Sequence, residues 1–327
     1  MINFLKENYR GILISLIVGI AAHYLAPYVP GVNGVILAFL VAVVLGNSIK
    51  MPASFKEGIN YSSGTLLEYA IIFLAFSISF QSIAVLGYSK FVFVFIIVIV
   101  SLLATLFLAK KFKSKDSTAW LVGFGTAICG SSAIAALAPV VSEKKEDAGI
   151  AIAVVNLLGS VGMIILPFIL QFLFTESSQV GFLLGASLQS VGNVAGAGYG
   201  LSPEIGDTAL TVKLARVALL TPAVIFFSLL VNKNKKDELG NKIKFTLPYY
   251  LWIFVGITIV NSVITIPENI LEILKLIGTL LLTISMAAIG LKVSFKTLWQ
   301  SGKMAIGFGL VIFLIQIGVS LAFAAFW

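Results

Sequence analysis

Gly125-Thr-Ala-Ile-Cys-Gly-Ser-Ser-Ala133 places a run of small and hydroxyl-bearing residues inside an otherwise apolar stretch, residues 119 to 140. Read as a membrane-crossing helix, the stretch is interrupted near its centre. An interruption in a bilayer frees backbone N–H and C=O groups that lipid cannot satisfy, so it persists only where protein, water or a ligand satisfies them. Residues 125 to 133 are therefore a candidate binding place. At about 1.5 Å per helical residue, Cys129 to Ser132 fall roughly 15 Å into a hydrocarbon core about 30 Å thick.

The rest of the chain supports this setting. Its 327 residues are 59% hydrophobic and 11% charged, with a mean hydropathy of +1.06, the composition of an integral membrane protein rather than a soluble one. Stretches of about 20 apolar residues, enough to span as a helix, recur eleven times. They lie near 11 to 28, 33 to 49, 66 to 86, 91 to 109, 119 to 140, 147 to 171, 179 to 200, 208 to 231, 248 to 266, 270 to 291 and 304 to 326. No polar stretch is long enough for a separate soluble domain, so residues 1 to 327 read as one all-α, multi-span membrane transport domain. The first stretch follows Lys6 and Arg10 but lacks a small-residue cleavage site before a mature soluble region, and reads as a retained span.

The net charge of +8 is explained by orientation rather than by a nucleic acid partner. With the N-terminus in the cytoplasm, sixteen Lys and Arg residues lie inside, among them Lys6, Arg10, Lys110, Lys111, Lys233, Lys235, Lys236 and Lys303. The opposite face receives Lys90, Lys144 and Lys145, so the positive-inside rule predicts N-in, C-out. The single cysteine, Cys129, excludes a disulfide within the chain and a cysteine metal cluster, and the single histidine, His23, excludes two-histidine sites. No metal, cofactor or catalytic residue is expected. Cys129 has no accompanying base and reads as a buried small residue, and the chain does not read as an enzyme.

Two internal repeats are visible. Leu74-Ala-Phe-Ser-Ile-Ser-Phe-Gln-Ser-Ile83 matches Ile289-Gly-Leu-Lys-Val-Ser-Phe-Lys-Thr-Leu298 at an offset of 215, and Gly46-Asn47-Ser48 matches Val260-Asn261-Ser262 one span earlier. The paired stretches run in opposite directions, which predicts inverted-topology repeats with discontinuous helices at the midplane. A weaker match at an offset of 60 relates Gly125 onward to Gly185 onward and Asp147 to Asp207. Those stretches run parallel, so this match lies outside the inverted scheme.

Four neighbouring stretches place polar groups at one depth: Gly125, Thr126, Cys129, Gly130, Ser131 and Ser132 in the fifth; Asn156 in the sixth; Gln189, Ser190 and Asn193 in the seventh; Lys213 and Arg216 in the eighth. Small residues let a broken helix present free N–H groups, whose partial positive charge favours an anion. Lys213 and Arg216 share a helix face by their i, i+3 spacing, and at such depth a charge needs a cavity, a substrate anion or a structural counter-charge. Either could also pair with Asp207. Glu68 and Lys292 read as boundary charges and His23 as a packed or interfacial residue.

The segments Cys129-Gly-Ser-Ser-Ala-Ile-Ala-Ala136, Lys213-Leu-Ala-Arg-Val-Ala-Leu-Leu-Thr-Pro222 and Met286-Ala-Ala-Ile-Gly-Leu291 resemble the YeiH-like membrane proteins, also called the UPF0324 family, for which sulfate export has been proposed. The likeness covers almost the whole chain. It implies a bacterial inner-membrane carrier, related to the bile acid/arsenite/riboflavin transporter fold, with a sulfur oxyanion as substrate. This chain departs from the pattern where Gln189-Ser190 stands in place of a His-acidic pair, and where Glu68 and Ser77 stand in a span that tends to carry Arg.

These readings converge on a secondary transporter, an exporter of a small anion such as a sulfur oxyanion or organosulfonate, working by alternating access. H+ or Na+ would be a coupling ion, and membrane lipid is the surrounding partner. No P-loop is present to couple transport to ATP. The alternatives are a cation or proton antiporter, in which Glu68, Asp147 or Asp207 would titrate, and a membrane receptor or assembly protein that moves nothing. The sequence leaves substrate identity and oligomeric state open.

Overall fold

The computed structural model describes residues 2–29, 33–49, 51–78, 87–111, 117–141, 145–231, 249–264, 266–293 and 303–325. Among these, every regular element is a helix. In chain order they are α1 (Ile2–Leu25), α2 (Gly34–Ser48), α3 (Ala53–Ser77), α4 (Tyr88–Lys111), the pair α5a (Ser117–Ala127) and α5b (Ser131–Val141), α6 (Lys145–Leu173), the pair α7a (Ser177–Ser187) and α7b (Val191–Tyr199), the pair α8a (Pro203–Ala218) and α8b (Leu220–Val231), α9 (Tyr249–Val263), α10 (Glu268–Lys292) and α11 (Lys303–Ala324). Six of them are long and apolar enough to cross a membrane, with α2 and α9 as shorter apolar helices. The remaining apolar stretches of the sequence are the three helix pairs. The chain is thus an all-α integral membrane protein.

Two expectations about boundaries change. The third helix begins at Ala53, not near residue 66, and runs through a π turn at Ser62–Leu66 before closing in a 3-10 turn at Ala75–Ser77. Residues 55 to 61 look too polar to be part of a span, yet Gly58 and Ile59 are buried. A side chain at Gly58 would collide with the backbone of α1 at Asn8, Gly11 and Ile12, and one at Gly11 with Phe55 and Ile59. Small residues at both positions let the two helices touch backbone to backbone. The eighth stretch is not continuous either. It turns at Leu219, whose N–H bonds Arg216 O at 3.1 Å, because Pro222 has no N–H to offer Ala218 and its ring crowds that carbonyl.

The chain forms two compact units. One comprises Met1–Val85, Ala195–Asp207 and Pro248–Phe295; the other comprises Leu86–Val194, Thr208–Leu247 and Lys296–Trp327. In the first, Val18 and Ala22 of α1, Ala38 and Ala42 of α2, and Ala287, Ala288 and Leu291 of α10 form a buried apolar cluster. Gly290 lies against the Phe39 carbonyl and Gly46 against the Leu291 backbone, so α2 and α10 pack closely.

The helix pairs matched at offsets of 214 and 215 meet in this unit. Asn47 Nδ2 donates to Val293 O at 2.8 Å, while Asn261 Nδ2 donates to Phe76 O and Ile78 O at 2.9 and 3.0 Å. Asn47 and Asn261 are matched residues, as are Ile78 and Val293, so each copy bonds the other copy's helix end. The two ends also share a form. Ile78 and Val293 are both extended, and each N–H returns to the carbonyl three residues back, Ala75 and Gly290. Such an exchange is what a duplicated helix pair produces around a pseudo-two-fold axis. The matched residues 79–83 and 294–298 lie outside the described residues.

In the second unit α4, α5a, α6, α7a and α11 pack through small residues. Gly123 lies against Thr105, Gly309 against Val122, Val154 and Leu158, and Gly162 against Leu188 and Phe313.

Candidate functional site

The fifth and seventh spans are both broken as expected, and the breaks are copies. α5a ends at Ala127 and α7a at Ser187, α5b starts at Ser131 and α7b at Val191, so both edges of the break repeat at an offset of 60. The weak match in sequence is therefore a duplicated break. The linkers Ile128-Cys129-Gly130 and Leu188-Gln189-Ser190 lie side by side, for a methyl added at Gly130 would sit 3.7 Å from both Gln189 O and Ser190 Cβ. Gly130 is left-handed, with φ at 75°, which a residue with a Cβ adopts only at a cost.

Each half-helix that ends at a break leaves carbonyls without intrahelical partners, and these receive the two buried cations. Lys213 Nζ donates to Ile128 O at 2.6 Å and Leu188 O at 2.9 Å, one carbonyl from each break. Arg216 Nη1 donates to Gly185 O, Ala186 O and Leu188 O at 2.9, 2.8 and 3.0 Å, and Nη2 to Thr126 O and Ala127 O at 3.2 and 2.8 Å. Both side chains are fully buried at 0% exposure. Two positive charges thus sit at the negative ends of two helix dipoles. None of these bonds goes to a carboxylate, and the Arg216 fork is turned onto carbonyls.

One contributor escaped the sequence reading. Gln316, in the middle of α11, donates to Ala186 O at 2.6 Å and Ser187 O at 3.1 Å, so a third buried side chain caps α7a. The available signal was an amide in an otherwise apolar span.

The half-helices that start at the breaks differ in exposure. At α5b, Ser132 is exposed and Ser131 half-buried, and Ser131 Oγ donates to Asn156 Oδ1 at 3.0 Å, with Asn156 exposed half-way along apolar α6. At α7b the start is enclosed. Ser190 Oγ accepts from Asn193 N–H at 3.0 Å as a helix cap, and Asn193 is 3% exposed. Gln189 is fully buried, with neither side-chain atom hydrogen-bonded. Cys129 is a buried free thiol, Thr126 Oγ1 is spent on Val122 O at 2.8 Å, and Gly125 lies against Ile134. The structure brings all twelve sequence-predicted site residues together at the two breaks.

The other polar residues go elsewhere. Asp207 accepts from Ser77 Oγ and Tyr199 Oη, both at 2.6 Å, in the first unit. Asp147 accepts from Ser117 and Thr118 at the start of α5a. Glu68 accepts from Tyr249 Oη at 2.6 Å, Lys292 donates to Ser63 Oγ at 3.1 Å, and the His23 ring stands edge-on to Tyr24. Among the described residues no three His, Cys, Asp or Glu side chains are grouped to hold a metal ion.

Comparison with known proteins agrees with this architecture. The family described as "Conserved hypothetical protein 698" matches residues 10–309. A UPF0324 membrane protein of Clostridium perfringens is 30% identical over 318 residues, 95% of this chain and 94% of that one. A Bartonella henselae UPF0324 membrane protein is 32% identical over 91% of this chain and 87% of its own. The UPF0324 inner membrane protein YeiH of Escherichia coli K12 is 30% identical over 86% of this chain and 82% of its own. No solved structure matches. With likeness across nearly the whole length and helices that account for every apolar stretch, the chain belongs to the UPF0324 family of multi-pass inner membrane proteins.

Proposed function

We propose that the chain is a secondary transporter of a small anion, with the α5 break as its binding place, and not an enzyme. The observation that carries the reading is the polar group formed by exposed Ser132 and half-buried Ser131 at the start of α5b with exposed Asn156 of α6. Exposed polar groups in the middle of apolar helices are costly against lipid, and they mark a watered cavity or a ligand path. The start of α5b is the positive end of a half-helix, and Lys213 and Arg216 stand one linker away. In this reading the two cations do not leave their carbonyls to grip the substrate. They neutralise the ends of α5a and α7a and leave a net positive field at the starts of α5b and α7b, which favours a small oxyanion such as a sulfur oxyanion or sulfonate. Inverted repeats in an N-in, C-out chain of eleven crossings supply the alternating access.

The test is thermal stabilisation of the purified protein by sulfate, sulfite, sulfonates, carboxylates and monovalent cations. An anion at about 100 times its Kd adds about 2.7 kcal/mol, and Ser132→Asp should erase that gain by placing a negative charge at the helix start. Stabilisation by Na+ alone would overturn the anion reading in favour of a cation carrier.

A further inference from the structure

The first unit holds a second polar cluster, unused by the proposal above. Asp207 on α8a faces Ser77, the last residue of α3, and Tyr199, the last residue of α7b. Tyr199 is 7% exposed, and Asn33 Nδ2 holds its carbonyl at 2.6 Å. Its ring lies against Gly206, where any side chain would strike three ring carbons. The phenol is thus fixed in place against Asp207.

Counting hydrogens in this cluster is informative. Ser77 Oγ lies 2.7 Å from Leu74 O and 2.6 Å from Asp207 Oδ1, and Tyr199 Oη lies 2.6 Å from the same Oδ1. These are three short oxygen pairs, but the two hydroxyls carry two hydrogens. If Ser77 gives its hydrogen to Leu74 O, the pair with Asp207 has none; if it gives it to Asp207, its lone pairs face the Leu74 carbonyl. A proton on Asp207 completes the set: Asp207 donates to Ser77, Ser77 to Leu74 O and Tyr199 to Asp207. Among the groups that face it from neighbouring elements are Ser77, Tyr199 and the half-buried Lys275 of α10.

We propose that Asp207 is a proton-carrying site, occupied at neutral pH in this conformation. On release, the proton leaves the carboxyl oxygen for water, and Ser77 turns its hydrogen from Leu74 O to the carboxylate. That turn is the end of α3, whose Phe76 and Ile78 carbonyls are held by Asn261, so loss of the proton changes the bonding of a helix end within the duplicated pair. Use of this proton as the coupling ion rests on the transporter reading; its presence does not.

The experiment is infrared spectroscopy of the purified full-length protein in lipid nanodiscs. The wild type should show the C=O stretch of a protonated carboxylic acid at neutral pH, downshifted in deuterated water and missing in Asp207→Asn. Absence of that band, or its persistence in Asp207→Asn, overturns the proposal. If that variant fails to fold, Ser77→Ala should shift the wild-type band by removing the acid's acceptor, and an unmoved band overturns the assignment. In proteoliposomes an inward-directed proton gradient should drive anion uptake several-fold in the wild type and not in Asp207→Asn. A protein with the band but no anion-dependent stabilisation or uptake would keep the proton site and sink the anion-transport reading instead.

Discussion

The two units solve the same problem, a helix end away from bulk water, with different chemistry. In the first unit the ends of α3 and α10 are held by neutral amides, Asn261 and Asn47, each on a matched residue of a duplicated pair. In the second the ends of α5a and α7a are held by two buried cations and one amide. The α3 and α10 ends each need one or two carbonyls satisfied, which an amide can supply. At the breaks two helix dipoles end side by side, and a positive charge gains from both. A charge is the stronger device, and its removal is correspondingly more damaging.

The largest expected effect follows from that contrast. Arg216→Met removes bonds to five carbonyls; Ala186 O keeps Gln316 and Leu188 O keeps Lys213, but Gly185, Thr126 and Ala127 lose the guanidinium, and each buried group left unsatisfied costs about 1–3 kcal/mol. Its thermal unfolding in detergent should fall far below the wild type, with poor expression. A neutral outcome would mean that the breaks do not depend on charge. The amide latches should be milder. Interhelical hydrogen bonds in membrane proteins average about 0.6 kcal/mol, so Asn261→Ala, which loses two, should cost about 1 kcal/mol; a loss as large as that of Arg216→Met would argue against the bonding seen here.

Gly130→Ala probes the break itself. The added methyl has room at 3.7 Å, so the cost should be that of the left-handed backbone alone, about 1–2 kcal/mol. A much larger loss in unfolding temperature would show that the linkers pack more tightly than those distances allow. Least of all in stability should be Asn156→Leu, within about 0.5 kcal/mol as an exposed substitution, yet it should lose the stabilisation that an anion confers. An anion effect that survives in Asn156→Leu would move the binding place away from the α5 break, towards Gln189.

Several features were legible because they depend on local composition. The small-residue run at 125 to 133 marked the α5 break, whereas the match at an offset of 60, which lay outside the inverted scheme, gained its meaning as a second copy of that break only from the helix boundaries. The start of α3 was missed because polarity was read as a boundary, whereas Gly58 packing on Gly11 makes a half-polar helix stable. The bend at Leu219 was readable in Pro222 but was passed over.

By itself, the sequence determined the class of this protein: its apolar content demands membrane-spanning helices, and its glycines, serines and repeats mark where two of those helices break. Tertiary structure alone decided the employment of its buried polar groups. Burial of Lys213 and Arg216 required a partner, but whether that partner was an anion, Asp207 or a backbone carbonyl depended on groups up to 90 residues away. Asp207 likewise found Ser77, 130 residues distant. A charge states its need through sequence, but the partner that meets it is set by which distant segments the fold brings within three ångströms.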